Sequence, residues 1–239
     1  MKKELFKANS RGHKDHGWLD TYHTFSFASY YNPQRIHFGA LRVVNDDIVV
    51  GGEGFGTHPH EDMEIVSIPL KGALEHKDSM GNGSVINVGE VQVMSAGKGI
   101  THSEFNASED QDLNFFQIWV FPRQLGVKPR YGQQKFDFWS TKNKLTQIVS
   151  PDVNDEGLWI HQDAWFNLGV FDKDQVFDYK MKNQQDGLFI MSIEGKFEVA
   201  GEILDRRDAI GLWEIDSISI KPLSDDSRIL LIEVPMYKL

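Results

Sequence analysis

Turn signals recur along this chain at intervals of about 8–12 residues, and the stretches between them alternate apolar with polar residues. That punctuation leaves little room for helices and directs the chain toward an all-β sandwich or barrel. RIHFGALRVVNDDIVVGG (residues 35–52) alternates on either side of an Asn-Asp-Asp turn. EIVSIPLKGALEHKD (64–78) reads as two short strands broken at Lys71-Gly72, and SVINVGEVQVMSAG (84–97) turns at Gly89-Glu90. LNFFQIWVFP (113–122) closes the series.

The series then repeats. GLFIMSIEGKFEVAG resembles EIVSIPLKGALEHKD at an offset of 123, which pairs Gly195 with Gly72. RDAIGLWEID resembles GEVQVMSAGK at 118, and RILLIEVP resembles FFQIWVFP at 113. Three matches in sequence order predict two tandem β-barrels of similar topology. The expected units are an N-terminal barrel with an N-terminal arm at 1–122, a bridging segment at 123–146, and a C-terminal barrel at 147–239. The arm spans the first 34 residues, is rich in Tyr, Phe and His, and could cover the opposite lobe.

Composition narrows the function. The chain has 239 residues and no cysteine, which excludes disulfide scaffolds, thiolate zinc sites, iron–sulfur clusters and cysteine nucleophiles. A formal net charge of −10 argues against DNA as a direct partner. The opening residues lack the apolar core of a secretory signal, and no apolar run is long enough to span a membrane. A soluble cytoplasmic protein without a membrane or nucleic-acid partner is expected, and its nine histidines are its main supply of metal-binding nitrogen.

The run GEGFGTHPHEDME concentrates that supply. His58 and His60 are two apart, so on a strand both point to one face, and Pro59 between them suits a strand edge. About forty residues on, SAGKGITHSEFN sets His102 and Glu104 at the same spacing. Two such pairs on facing strands supply three neutral nitrogens and one carboxylate, a donor set for a divalent first-row metal with positions left for water, substrate or dioxygen. Glu64, four residues after His60, has the same inward parity, so it could be the carboxylate ligand, a nearby base or an orienting group.

The spacing of Gly52, His58, His60 and Glu64 (G-x5-H-x-H-x3-E) resembles the first motif of the cupins. The run from Gly89 through His102 to Asn106 resembles the second, with Ser95 where proline is common and a histidine two residues late. Both departures, with SRGHKDHGWLDTYHTFSFASYYNP, FGALRVVNDDIV, GTHPHEDMEI and MSAGKGITHSEFN, resemble the pirin family of bicupins, closely over the first 122 residues. The resemblance implies two tandem cupin barrels with His58, His60, His102 and Glu104 as metal ligands and Glu64 near the metal. It implies iron(II) as the usual metal, with Zn, Mn, Cu, Ni or Co as substitutes. It also implies a quercetinase-like dioxygenase that cleaves flavonols with dioxygen and releases carbon monoxide. Glu64 is then the candidate base for the flavonol 3-hydroxyl.

At the repeat offsets, His58 pairs with Met181, His60 with Asn183, Glu64 with Gly187, His102 with Ile220 and Glu104 with Pro222. The C-terminal barrel is therefore expected to be metal-free. Phe38, Phe55 and Phe116 are candidate pocket walls, and the Gly-rich stretch 51–56 is expected to let backbone pass close to the lumen. His13, His16 and His23 read as surface or hydrogen-bonded groups, His37 as strand-start, and His76 and His161 as structural. Two other functions compete with the oxygenase. One is a non-enzymatic iron-binding regulator acting on a protein partner through a basic or apolar patch at the metal mouth, to which Arg11, Lys14, Arg35, Arg42 and Lys98 could contribute, although they read first as a solvated face. The other is an isomerase or hydrolase on the same scaffold. A monomer is expected.

Overall fold

The computed structural model describes residues 1–236; the last three residues of the expected C-terminal barrel, 237–239, lie outside the described residues. The first twelve strands are β1 (Lys2–Phe6), β2 (Gly12–Asp15), β3 (Leu19–His23), β4 (Leu41–Val49), β5 (Gly54–His60), β6 (Glu64–Lys71), β7 (Ala73–Asp78), β8 (Gly83–Asn87), β9 (Glu90–Ser95), β10 (Ile100–Asn106), β11 (Leu113–Val120) and β12 (Arg130–Lys135). The remaining ten are β13 (Lys144–Ser150), β14 (Leu158–Trp159), β15 (Trp165–Phe171), β16 (Phe177–Lys180), β17 (Asp186–Glu194), β18 (Phe197–Val199), β19 (Glu202–Leu204), β20 (Ala209–Trp213), β21 (Ser217–Pro222) and β22 (Ser227–Pro235). Among the described residues no helix is long and apolar enough to cross a membrane.

The two tandem β-barrels expected from the repeat are present, in the all-β bicupin architecture that the family resemblance implies. Each lobe pairs a seven-stranded sheet with a four-stranded one. In the first lobe the orders are β12-β9-β6-β11-β4-β3-β2 and β5-β10-β7-β8; in the second they are β1-β20-β17-β22-β15-β13-β14 and β16-β21-β18-β19. The lobes match in strand order except at the far edge, where β2 runs antiparallel to β3 but β14 runs parallel to β13, and the tight turns at Gly72 and Gly195 share a left-handed φ of 76° and 78°. The arm does reach the opposite lobe, because β1 pairs with β20. Part of the bridging stretch is itself a strand, because β12 pairs with β9. Each large sheet is thus completed by a strand from outside its own series.

Two details of the sequence reading change. Asn45-Asp46-Asp47 is not a turn but the middle of β4, which runs unbroken from Leu41 to Val49. Those three polar residues are buried and have partners or a cavity on both faces of the sheet, so the strand is not forced to end there. Ladder register also resets the repeat offsets. Val66 faces Ile118 while Phe189 faces Ile232, an offset of 114 rather than 113 for the last match. Glu104 faces His76 while Ile220 faces Val199, an offset of 116 within that strand rather than 118. One residue of slip moves every side chain of a strand to the other face.

The main core lies between the lobes. Val66, Ile68, Phe116 and Ile118 from one large sheet pack with Phe166, Phe189, Leu230 and Ile232 from the other. The second lobe's lumen is a continuous apolar cluster that includes Tyr179, Leu188, Ile190, Phe197 and Leu231. The first lobe's lumen differs. Its apolar residues form two separate groups, one around Leu113 and Phe115 and one around Ile65 and Met94. Alternation along β4, β6 and β11 also directs Asn45, Asp47, Ser67 and Gln117, all buried and polar, to the lumen face. Burying polar groups there costs free energy unless each finds a partner, which sets this lumen apart from the second.

Candidate metal centre

His58 and His60 sit on β5, an edge strand of its sheet, where the missing N–H of Pro59 breaks no ladder. His58 is directly opposite His102 on β10, and His60 is opposite Ile100. From His102 to Glu104 the register on β5 advances from His58 to Phe55, so β5 carries one extra residue at Gly56-Thr57. This bulge lets Phe55 share a cavity with His58 and His60 despite its odd spacing. Close strand approach is enforced at Gly54, where a Cβ would lie 2.4 Å from the Glu104 carbonyl oxygen.

The three imidazole rings cluster. Their centroids lie 4.5 Å (His58–His102), 4.8 Å (His58–His60) and 4.8 Å (His60–His102) apart. Each offers a ring nitrogen within 4.8 Å of the others. Hydrogen bonds fix which nitrogens face the cluster. His58 donates from Nδ1 to the Gly56 carbonyl at 2.8 Å, which leaves Nε2 bare. His102 Nε2 is buried without a partner, while its Nδ1 lies 3.5 Å from His76 Nδ1. His76 donates from Nε2 to Asp78 at 3.3 Å, so its own Nδ1 is an acceptor. Asp78, His76 and His102 therefore form a chain that sets the tautomer of His102.

Burial keeps two of these rings, His60 and His102, neutral. It pushes His60 down to about 4, helped by His58, and His102 down to about 2, helped by His58, His60 and His76. A neutral nitrogen that is buried and unpartnered calls for an electron-pair acceptor. The set fits a divalent transition metal, and the donor chemistry is borderline rather than soft.

Glu104 forms a second cluster with His76 and His102, again within 4.8 Å, so the two groups share His102. It also lines the cavity of about 70 Å³ that touches His58 and His60. Its oxygens accept from Ser67 Oγ at 3.1 Å and Gln117 Nε2 at 2.7 Å. Burial, with Asp47 nearby, pushes it up to about 7.

Glu64 is elsewhere. The turn at 61–63, with Asp62 left-handed at φ 46°, resets the parity counted from His60. Glu64 shares the seam face of β6 with Val66, and it accepts from Ser95 Oγ at 2.7 Å. Burial pushes it up to about 7 against Ser95, the His161 backbone and the charges of Arg130 and Arg123. It does not line the imidazole cavity. Of the expected walls Phe55 does line it, whereas Phe38 and Phe116 lie on the seam face. The structural counterparts of the first lobe's site in the second lobe are Tyr179 (opposite Ile218), Met181, Ile218 and Ile220. They replace the Met181, Asn183, Ile220 and Pro222 expected from sequence offsets, and none is a usual metal ligand.

Sequence reading missed three groups here. His76 was legible in principle, since ALEHKD places Leu74 and His76 on one buried face. Asn45 and Asp47 were hidden by being read as a turn. His23, read as a bland arm residue, lines a neighbouring cavity with His16. Of the basic residues expected at the mouth, Arg11 is buried in the seam beside Asp46.

Comparison with known proteins follows the same division. The Pirin family model matches residues 5–120, and a quercetinase C-terminal cupin domain model matches 147–234. A protein named quercetin 2,3-dioxygenase from Escherichia coli (strain K12) is 44% identical over 231 residues, covering 97% of this chain and 98% of its own. The crystal structure of YhhW from Escherichia coli superposes with a TM-score of 0.94 at 42% identity, covering 100% of both chains. The nickel(II) complex of the bacterial pirin YhhW gives 0.92 at 41% identity, covering 99% of this chain and 100% of that one.

Proposed function

The chain belongs to the pirin family of bicupins, and from that premise we propose that it is a metal-dependent dioxygenase acting on quercetin-like flavonols. The observation that carries the reading is the convergence of three imidazoles, one with a buried orphan Nε2, beside a cavity that also touches a carboxylate. We assign His58, His60, His102 and Glu104 to a divalent transition metal, with iron(II) as the expected occupant. The nickel(II) complex of a protein this similar supports a divalent ion. When bound, the metal supplies a chelation point for a hydroxyl–carbonyl pair and a path for electron transfer to dioxygen.

The chain's own residues do the rest. Glu104 accepts the proton of the substrate hydroxyl, since its carboxyl opens on the cavity beside the imidazoles. That role passes to it from Glu64, which is bound to Ser95 on the seam face. Phe27, Phe55 and Trp119 wall the cavity and exclude water from the reacting ring.

The test is anaerobic purification and reconstitution with ferrous iron, followed by admission of air while quercetin absorbance and oxygen consumption are recorded together. Iron-dependent loss of both is expected. Tight iron binding without turnover would overturn the reading.

A further inference from the structure

We propose that the chamber beyond the imidazole cluster is a subsite for a second, hydroxyl-bearing aromatic ring, read by His23, Asn45 and Asp47. The inference rests on the dioxygenase reading and extends it from reaction to ligand selection.

Space comes first. The chamber at the imidazoles has a volume of about 70 Å³, room for roughly two waters at about 30 Å³ each. A fused aromatic substrate does not end there. Phe27, Asn45, Asp47 and Phe55 are shared with a second chamber of about 260 Å³, which runs beneath the N-terminal arm. The two form one continuous path leading away from the imidazoles.

Its polar wall has unused capacity. Thr21 Oγ1 donates to Asp47 Oδ1, so its one proton is committed. The 2.9 Å contact between Thr21 Oγ1 and His23 Nε2 must then be a donation from the ring. His23 is left with a bare Nδ1, which is buried and has no partner. Asn45 Oδ1 is likewise buried without a partner, and its amide makes no hydrogen bond among the described residues. Asp47 Oδ2 also makes none. Three adjacent groups, at least two of them acceptors, await hydrogen-bond donors.

The remaining walls select the rest of the ligand. Trp18 meets Phe55 edge-on at 5.1 Å, and Phe27 completes an aromatic slot suited to a flat ring. No lysine or arginine lines either chamber, so an anionic ligand would meet Asp47 without a counter-charge. A plain hydrocarbon ring would strand His23 Nδ1 and the Asn45 amide. A neutral ring carrying phenolic hydroxyls satisfies all of them.

The test is calorimetric titration of the iron-loaded protein without oxygen, so that binding is read without turnover. The probes are quercetin and galangin, the same flavonol without the pendant-ring hydroxyls. Quercetin is expected to bind at least 10-fold more tightly. His23→Phe and Asn45→Leu, made singly, are expected to bring that ratio below about 3 while galangin affinity shifts by less than about 3-fold. Equal affinity of the two flavonols for the unmutated protein overturns the proposal, whatever the variants do. So does an equal loss of both ligands in variants that retain iron. The preference without turnover would sink the dioxygenase reading and leave the subsite standing; turnover without the preference would do the reverse.

Discussion

Arg207 Nε donates to Asp46 Oδ2 at 2.8 Å across the seam between the lobes, with both side chains almost wholly buried. Arg11 approaches the same oxygen at 3.4 Å, and Asn114 Nδ2 donates to Oδ1 at 2.8 Å. Asp46 is flanked in sequence by Asn45 and Asp47, which face the lumen, so one strand carries the seam ion pair on one side and the substrate path on the other.

Asp46→Asn is therefore expected to leave two buried guanidinium groups short of a counter-charge. Loss of one partner from a buried pair costs about 3–5 kcal/mol. At about 2–4 °C per kcal/mol for a chain of this size, thermal unfolding at pH 7 should shift down by roughly 10 °C. Burial alone would raise the carboxyl pKa of Asp46, but Arg207, Asn114 and Arg11 outweigh it and hold the pKa below the usual range. Its contribution is present above the unfolded pKa of about 4 and is lost as pH falls through the folded value. The gap between variant and parent should close in strong acid, and a gap that stays constant with pH would contradict this account.

Asp186 has the opposite sign. Burial, with Glu233 and Asp163 beside it, pushes it up to about 7, and its Oδ2 is buried without a partner. Between about pH 4 and 7 the unfolded chain releases a proton that the folded chain keeps, so stability falls across that window and levels off above it. Asp186→Asn should raise the unfolding free energy at pH 8, by on the order of 2 kcal/mol, and change it little at pH 4. Urea titrations at the two pH values decide it.

His76→Phe should weaken metal binding by roughly 10–100-fold, because it removes the acceptor that orients His102 Nδ1. His102→Ala should weaken it further, since that ring contributes the orphan Nε2. Equilibrium dialysis against a competing chelator measures both. Unchanged affinity in His76→Phe would mean that the Asp78–His76–His102 chain does not orient the centre.

Gly211→Ala tests the seam from another direction. Phe38 lies across Gly187 and Gly211, and a Cβ on Gly211 would meet its ring at 2.5 Å. The ring is also edged by Trp213 at 6.0 Å, so it has little room to retreat. Overpacking of about 1–3 kcal/mol is expected, visible as a lowered midpoint in chemical denaturation with metal content intact.

The repeat, the clustering of His58, His60 and His102 and the succession of strands were legible because each rests on a local signal: period-two alternation, turn glycines and His-x-His spacing. What stayed hidden depends on geometry between strands. The bulge at Gly56-Thr57 and the turn at 61–63 each break the parity count, which is why Glu64 read as lumen-facing and Phe55 could not be derived from spacing. Asn45-Asp46-Asp47 has the composition of a turn, and only partners distant in sequence, such as Arg207, let it continue as a strand. His76 acquires its meaning from lying opposite Glu104 on another strand.

The reciprocal exchange of β1 and β12 has a bearing on how the chain reaches this state. β1 lies opposite a strand more than two hundred residues downstream, with Lys2 against Trp213 and Phe6 against Ala209. During synthesis β1 has no docking edge until β20 has been made, and closing so long a loop is slow. Until the loop closes, β20 presents an open edge with unpaired backbone groups. Completion of the second lobe's large sheet is therefore a late event of folding, set by the docking of β1 on β20.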